Sequence, residues 1–530
     1  MSLHPKLTYY DGQLWGGVET SQVWPRVAQL GQVLVTAKAA KDGRKEREGE
    51  ALGGPQAKAS PALRYILSVR QLVRQHFRFF LLATLAAVGL RLLFLFRFPA
   101  ITSDSFVYSD IAKNWLQHGI YGLSGAGGVS PTDIRLPGYP AFLAAVFAIF
   151  GMEHYRVVLA LQVWVDVGTC FLIADMARRV VSPKAAKAAF LLAALCPFLA
   201  TYAAAALSET LEIFFTALAF DCAIAGLETL AERRLRPWLG CGLAIAAAVL
   251  LRPDGGLILI AIELYLGVLL FFAWNETRAS RPQPHIPHGS AHLLRAGLIL
   301  GVVALAPLVP WAWRNLHTMH RFQPLAPRYA NEEDQFVPAG FNRWVKTWMA
   351  DYASVEEIYW PVPGDTMDAT KLPDRAFDSE AQREQTVQLL DDYNQVLHVT
   401  PELDARFAAL AEQRIRQSPV RYYVWLPAVR IADMWLRPRT ATLPSDTRWW
   451  EFNDDPTWSA LAVALGVINL LYVGAALAGI LRARWTVLLG LVLTFVLVRS
   501  LFLGTLENPE PRYTLEAYFA IIVLGSCLFK

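Results

Sequence analysis

Acidic and cationic side chains stand at the edges of apolar runs in this chain. Asp104 and Asp110 fall within "TSDSFVYSDIAKNW" (102–115), just past an apolar segment at 78–98. A carboxylate beside hydrocarbon is costly unless it faces water, a partner or a substrate. Glu209, Glu507, Glu510, Arg135, Arg252, Arg314 and Arg512 occupy comparable edge positions. Carboxylate and arginine together at a membrane surface suit one class of reaction. The carboxylate takes the proton of an acceptor hydroxyl. The arginines stabilise a phosphate leaving group, because the guanidinium stays charged and binds two oxygens at once. The layout favours group transfer from a lipid-linked phosphate donor.

Each residue also has a plainer role open to it. Asp104 suits the N-cap of a helix beginning near Phe106, and Asp110 a solvated helix face. Arg135 suits an interfacial anchor, and Glu209 compensates a helix dipole after Ser208. Arg314, between Trp311 and Trp313, suits a cation reaching up to the interface. Arg512 has Glu510 beside it as an ion-pair partner. Convergence on one side of the membrane favours the chemical reading.

The elements that must position these groups are membrane helices. The chain has 530 residues, 54% hydrophobic and 18% charged, against about 25% charged in a soluble domain. Apolar segments fall near 78–98, 155–177, 185–202, 208–227, 238–251, 255–274, 294–313, 457–481, 485–503 and 515–530, so the chain is expected to cross about ten times. The stretch 138–151 is too short to span and suits an interfacial helix. Basic clusters at 64–78, 177–187, 232–236, 277–281 and 482–484 place those loops in the cytoplasm. The segments 99–154, 203–208, 312–456 and 504–514 then face outward, as does the "RPDG" turn at 252–255. Ionisable residues are expected at this outer mouth rather than at mid-membrane depth, where a transporter would hold them. The net charge of +4 has no basic stripe for nucleic acid. The five cysteines lie in apolar segments and read as small core residues. Residues 1–75 read as a disordered cytoplasmic tail, with no secretory signal expected.

Four short motifs resemble the membrane-embedded glycosyltransferases of the GT-C fold. The closest branch holds the dolichyl-phosphate-mannose–protein mannosyltransferases and the aminoarabinose transferase of lipid A. "DSFVYSDIA" (104–112) is similar to the family's first outer-loop motif, and "RLPGYPAFLAAVFAIFG" (135–151) to the stretch that closes that loop. "LSETLEIFF" (207–215) resembles the acidic second outer loop, and "PWAWRN" (310–315) the join to the outer domain. "PRY" (511–513) fits the last outer loop. The resemblance covers residues 78–315 and 500–530.

It implies an all-α polytopic membrane protein, GT-C-like, with juxtamembrane helices and a small, mostly helical outer domain. The expected organisation is a tail (1–75), a catalytic membrane module (76–315), a periplasmic domain (316–456) and C-terminal membrane helices (457–530). It implies inverting transfer of a sugar from a polyprenyl-phosphate donor to a hydroxyl of a lipid, glycan or protein. Asp104 takes the place of the catalytic base or of a carboxylate that positions the acceptor. Tyr108, Arg135, Tyr139, Glu209, Arg252, Arg314 and Arg512 are the expected substrate-binding set. Many relatives carry a second acidic residue where Ser105 stands here, which leaves a divalent metal an open question; no other cofactor is implied. His317 and His320 have helical metal-ligand spacing but no third ligand in sequence.

The outer stretch offers two further expectations. Residues 407–439 read as amphipathic helices on the membrane. Trp344, Trp348, Tyr352, Tyr359 and Trp360 suit either a sugar-stacking surface or, more simply, a small aromatic core. A transporter of lipid-linked glycans and a non-catalytic envelope assembly protein are the competing functions. The bacterial inner membrane, with the site facing the periplasm, is the expected location.

Overall fold

The computed structural model describes residues 71–279, 290–331, 335–452, 455–483 and 486–529. The tail expected over 1–75 therefore lies almost wholly outside the described residues. The chain is an all-α polytopic membrane protein. Among the described residues eight helices are long and apolar enough to span: Phe77–Arg97, Tyr155–Val180, Glu209–Glu228, Pro253–Phe272, Ala291–Met319, Pro456–Arg482, Val487–Gly504 and Pro511–Phe529. Pro183–Ala194 and Pro197–Ala203 form a ninth, bent by 52°. The break has a local cause, since Pro197 cannot donate the backbone hydrogen bond that would continue the first helix. Arg236–Leu251, only 16 residues long, is the tenth apolar segment.

The elements around the site are named in chain order. Helix α1 is Phe77–Arg97 and α2 is Ser103–His118. Strands β1 (Gly122–Gly125) and β2 (Gly128–Pro131) form an antiparallel hairpin. Helix α3 is Gly138–Phe150, α4 is Tyr155–Val180, α5 is Pro183–Ala194, α6 is Pro197–Ala203, α7 is Glu209–Glu228 and α8 is Arg236–Leu251. The outer segment 99–154 is thus a helix, a hairpin and a second helix. Helix α2 stops at Gly119, whose φ of +69° is readily adopted without a side chain. Helix α3 lies so close to α8 that a Cβ on Gly138 would stand 2.6 Å from the Leu250 carbonyl oxygen.

Helix Tyr518–Ser526, at the chain's end, is buried at every position and packs against α5 and Pro456–Arg482. Helices facing lipid keep large apolar side chains exposed, among them Leu82, Leu298, Leu471 and Leu501. In water such faces would be unstable; in a bilayer they meet their preferred solvent.

Mid-membrane depth is not free of charge. Arg91 on α1 and Asp166 on α4 are both buried and meet at 2.5 Å. Arg91 also donates to the carbonyls of Ala194 at 2.6 Å and Ala193 at 3.1 Å. This corrects the expectation that ionisable residues keep to the outer mouth. The pair ties the end of α5, where Pro197 opens the backbone, to two spanning helices.

In the outer stretch, Phe341, Trp344, Trp348, Tyr352 and Phe407 close a buried core, with Tyr359 and Trp360 packed against it. The aromatic residues are a core and not a free sugar platform. Helices Pro401–Gln417 and Leu426–Leu436 flank a π-helical turn, Arg421–Trp425, that exposes Tyr423, Val424 and Trp425, with Val420 exposed just before it. A run of exposed apolar and aromatic side chains beside arginine suits the membrane surface.

Candidate active site

Helix α2 presents Asp104 in its first turn without using it as a cap. The cap belongs to its neighbours: Ser105 Oγ accepts from the Thr102 amide at 3.0 Å. Asp104 is left to face two cations. Arg135 donates to Oδ1 at 2.8 Å, and Arg512 lies 3.5 Å from Oδ2. Arg135 comes from the turn leading into α3, and Arg512 from a 3-10 segment, Pro511–Ala517. Burial works to raise the Asp104 carboxyl, yet the charges of Arg135 and Arg512 overcome it and hold the group at about 2.

The network extends to α7. Glu209, at the first position of that helix, lies 3.2 Å from Arg252 and 3.8 Å from Arg512. Arg512 Nε is 2.6 Å from Glu510. The Tyr513 ring has the Arg252 and Arg512 guanidinium groups each 5.5 Å from its centroid. Three carboxylates and three guanidinium groups therefore meet, but they are not equally accessible. Glu209 and Glu510 side chains are 2% and 3% exposed, against 21% for Arg135, 19% for Arg252, 22% for Arg512 and 32% for Asp104. The accessible face carries three cations and one carboxylate, an arrangement that attracts an anion.

Tyr108 and Tyr139 support this face from behind. The Arg135 guanidinium lies 5.6 Å from the centre of the Tyr108 ring, which packs edge-on to Tyr139 at 5.0 Å. Tyr139 is fully buried and donates to Gln162 at 2.8 Å; Gln162 in turn donates to the Ala205 carbonyl at 2.6 Å. The expected substrate contact for Tyr139 is thus corrected: its hydroxyl is engaged within the core and holds the loop before Glu209. Burial also raises the Tyr108 hydroxyl above its usual range.

Arg314 does not join the cluster. It donates to the carbonyls of Tyr121 at 2.6 Å and Thr132 at 2.8 Å, at the two ends of the hairpin. Arg321 braces the same loop through Asp133. Arg314 is therefore a clamp on the 99–154 loop. Asp110 likewise departs from the solvated role expected for it, accepting from the Ser124 amide at 2.7 Å and so pinning β1 to α2.

A second charged layer lies deeper, and sequence reasoning missed most of it. Arg252 Nε is 3.1 Å from Asp254 and 3.4 Å from Glu212. Arg499 is 3.0 Å from Asp254 and 2.6 Å from Glu516. Glu212, Arg499 and Glu516 each interrupt an apolar run, which is the signal that could have found them. Glu212, Asp254 and Glu516 offer oxygens within 4.8 Å of one another, the one such grouping among the described residues that could hold a metal. Two guanidinium groups, Arg252 and Arg499, stand against these three carboxylates, and Glu212 Oε1, Glu212 Oε2 and Glu516 Oε1 accept no hydrogen bond. His317 packs on Trp313 instead, and no metal-ligand grouping among the described residues includes it or His320.

A family model described as dolichyl-phosphate-mannose-protein mannosyltransferase matches residues 131–311. That stretch contains Arg135, Tyr139, Glu209 and Arg252. Among curated proteins nothing matches. Two solved structures with a similar course of chain are an archaeal oligosaccharyltransferase and a bacterial ArnT. The first, AglB from Archaeoglobus fulgidus in complex with an inhibitory peptide and a dolichol-phosphate, is 14% identical with a TM-score of 0.44, over 85% of this chain and 50% of that one. ArnT from Cupriavidus metallidurans bound to undecaprenyl phosphate is 14% identical with a TM-score of 0.36, over 86% and 78%. This chain spans about half the length of the archaeal protein.

Proposed function

We infer kinship with the GT-C membrane glycosyltransferases, and the match of residues 131–311 to the mannosyltransferase model supports it. We propose that the whole chain is a membrane glycosyltransferase that moves a sugar from a polyprenyl-phosphate donor to an acceptor hydroxyl. The supporting observation is the accessible face of three arginines around one carboxylate, Asp104.

Arg135, Arg252 and Arg512 suit the donor phosphate, whose leaving oxygen gains charge as the glycosidic bond breaks. Asp104 suits the attacking hydroxyl. Held at about 2 by two guanidinium groups, it is ionised but weakly basic. A bound phosphate draws Arg135 and Arg512 to itself and neutralises them. The carboxylate is then released and becomes a stronger base with the donor in place. Proton acceptance is thereby coupled to donor binding. Attack on the face opposite the phosphate inverts the anomeric centre.

Tyr108 and Tyr139 position Arg135 and the loop before Glu209. The arginine-rich turns lie on the outer side of the basic-loop assignment, which supports a reaction at the periplasmic face of a bacterial inner membrane. Mass spectrometry of envelope glycans and glycoproteins, with and without the chain, tests the reading. Loss of one glycoform is expected, and an unchanged set of glycans and glycoproteins would contradict it.

A further inference from the structure

Outside the Asp104 cluster, an apolar groove of about 600 Å³ runs between the outer stretch and the membrane helix Pro456–Arg482. Its walls include Val463, Val467 and Leu470 from that helix and Leu426, Val429 and Leu436 from Leu426–Leu436. Leu470 lies 14 residues into its helix from Pro456. At 1.5 Å per residue that is a depth of about 21 Å, beyond the polar layer of a bilayer and into its hydrocarbon. Val467 and Leu470 are half exposed, so this wall opens to lipid.

The upper end of the groove is different. Asp351, Arg375 and Arg437 line both the groove and an adjoining polar pocket of about 380 Å³, to which Lys371 and Arg448 also contribute. Four cations and one carboxylate line that pocket. The other carboxylate bonded there, Glu357, lies 2.7 Å from Arg448 and 3.7 Å from Lys371, with only 17% of its side chain exposed. Arg375 pairs with Asp351, but Lys371 and Arg375 are 46% and 41% exposed against 24% for Asp351, so the more accessible groups are cations. Asp433 and Glu451 pair with Arg437 and Arg448 at the margin. One more group lacks a partner: Trp449 lines the groove, and its indole N–H is buried with no acceptor. An unpaired buried donor costs free energy until an acceptor arrives.

We propose that groove and pocket together bind an acidic phospholipid from the outer leaflet. One acyl chain lies along Val463–Leu470, and the phosphate sits among Lys371, Arg375 and Arg448. An ester or phosphate oxygen accepts from Trp449. Apolar depth and accessible positive charge in one continuous site fit an amphiphile and fit neither a free anion nor a soluble sugar.

The test uses the full chain, purified in detergent and offered phosphatidylglycerol or phosphatidylcholine of matched acyl chains, with retained lipid counted by native mass spectrometry. Phosphatidylglycerol should be retained in preference, by about fivefold for each cation engaged. Lys371→Glu, a change of two charges, should cut the preference by about 25-fold while the chain stays folded, since Lys371 makes only one long ion pair. Val467→Trp should reduce retention of both lipids by filling the groove. Equal retention of the two lipids by the parent chain would overturn the proposal. So would unchanged retention in both variants.

Discussion

Replacing Arg135 with glutamine separates the two tasks assigned to that residue. Burial pushes the Asp104 carboxyl up, and among the influences pulling it down the charge of Arg135 is the largest. The contact is direct, at 2.8 Å. An opposite charge at such range lowers a carboxylate by about one to three pH units. Arg135→Gln should therefore raise Asp104 from about 2 to roughly 3–5. Isotope-edited infrared titration of aspartate carboxylates, with Asp104→Asn subtracted, reads this midpoint directly. The sign for stability follows. A depressed carboxylate contributes stability above its ordinary value of about 3.9, and that contribution is lost as pH falls through about 2. In Arg135→Gln the loss occurs at higher pH and the contribution is smaller. At pH 7 Asp104 is ionised in both proteins, so any loss of transfer there reports the arginine's action on phosphate, on the order of 10²–10³-fold for a lost charge-stabilising donor. Arg135→Lys keeps the charge, and with it a low carboxyl, but loses the planar fork. An Asp104 midpoint unmoved in Arg135→Gln would refute the electrostatic reasoning.

Three further outcomes are expected. Asp166→Leu leaves Arg91 buried without its carboxylate and should destabilise the chain by about 3–5 kcal/mol, with much of that recovered in the Arg91→Leu, Asp166→Leu double variant; thermal unfolding in detergent measures both. Arg314→Ala should speed hydrogen exchange across 121–132, because the guanidinium that bridges the Tyr121 and Thr132 carbonyls is lost. Exchange confined to other segments would contradict the clamp. Burial raises Glu356 to about 7 despite the hydrogen bond from Tyr352, so its contribution to stability is present at low pH and falls as pH rises from about 4.5 through 7. Glu356→Gln should flatten that dependence in unfolding temperatures taken at pH 5 and pH 8.

Apolar runs carried most of the fold in plain view. Each of the ten segments read from the sequence became helical, eight of them as helices of spanning length and 185–202 as two helices meeting at a 52° bend, because a long apolar run in a bilayer has few ways to satisfy its backbone other than a helix. The bend at Pro197 was also legible in kind. The site was legible only in part. Asp104, Arg135, Glu209, Arg252 and Arg512 share a side of the membrane in sequence and share a network in space. Sequence could not say that Arg314 reaches the hairpin carbonyls instead, since that choice depends on where the 99–154 segment folds back. Tyr139 was misread for a similar reason: its motif position said nothing of Gln162, 23 residues on. Arg91, Asp166, Glu212, Arg499 and Glu516 were overlooked because a single charge barely lowers the average of an apolar window, although each is expensive enough in lipid to demand a partner.

The central claim is that Asp104 accepts the proton while the arginines hold the phosphate. Purified chain and its Asp104→Asn variant can be given a polyprenyl-phosphate sugar and an envelope extract as acceptor. Transfer and donor binding are then measured on the same samples. Asp104→Asn should bind donor as the parent does and transfer sugar at a rate lower by about 10²–10⁴, the usual contribution of a positioned base. Transfer by the variant at the parent's rate would contradict it.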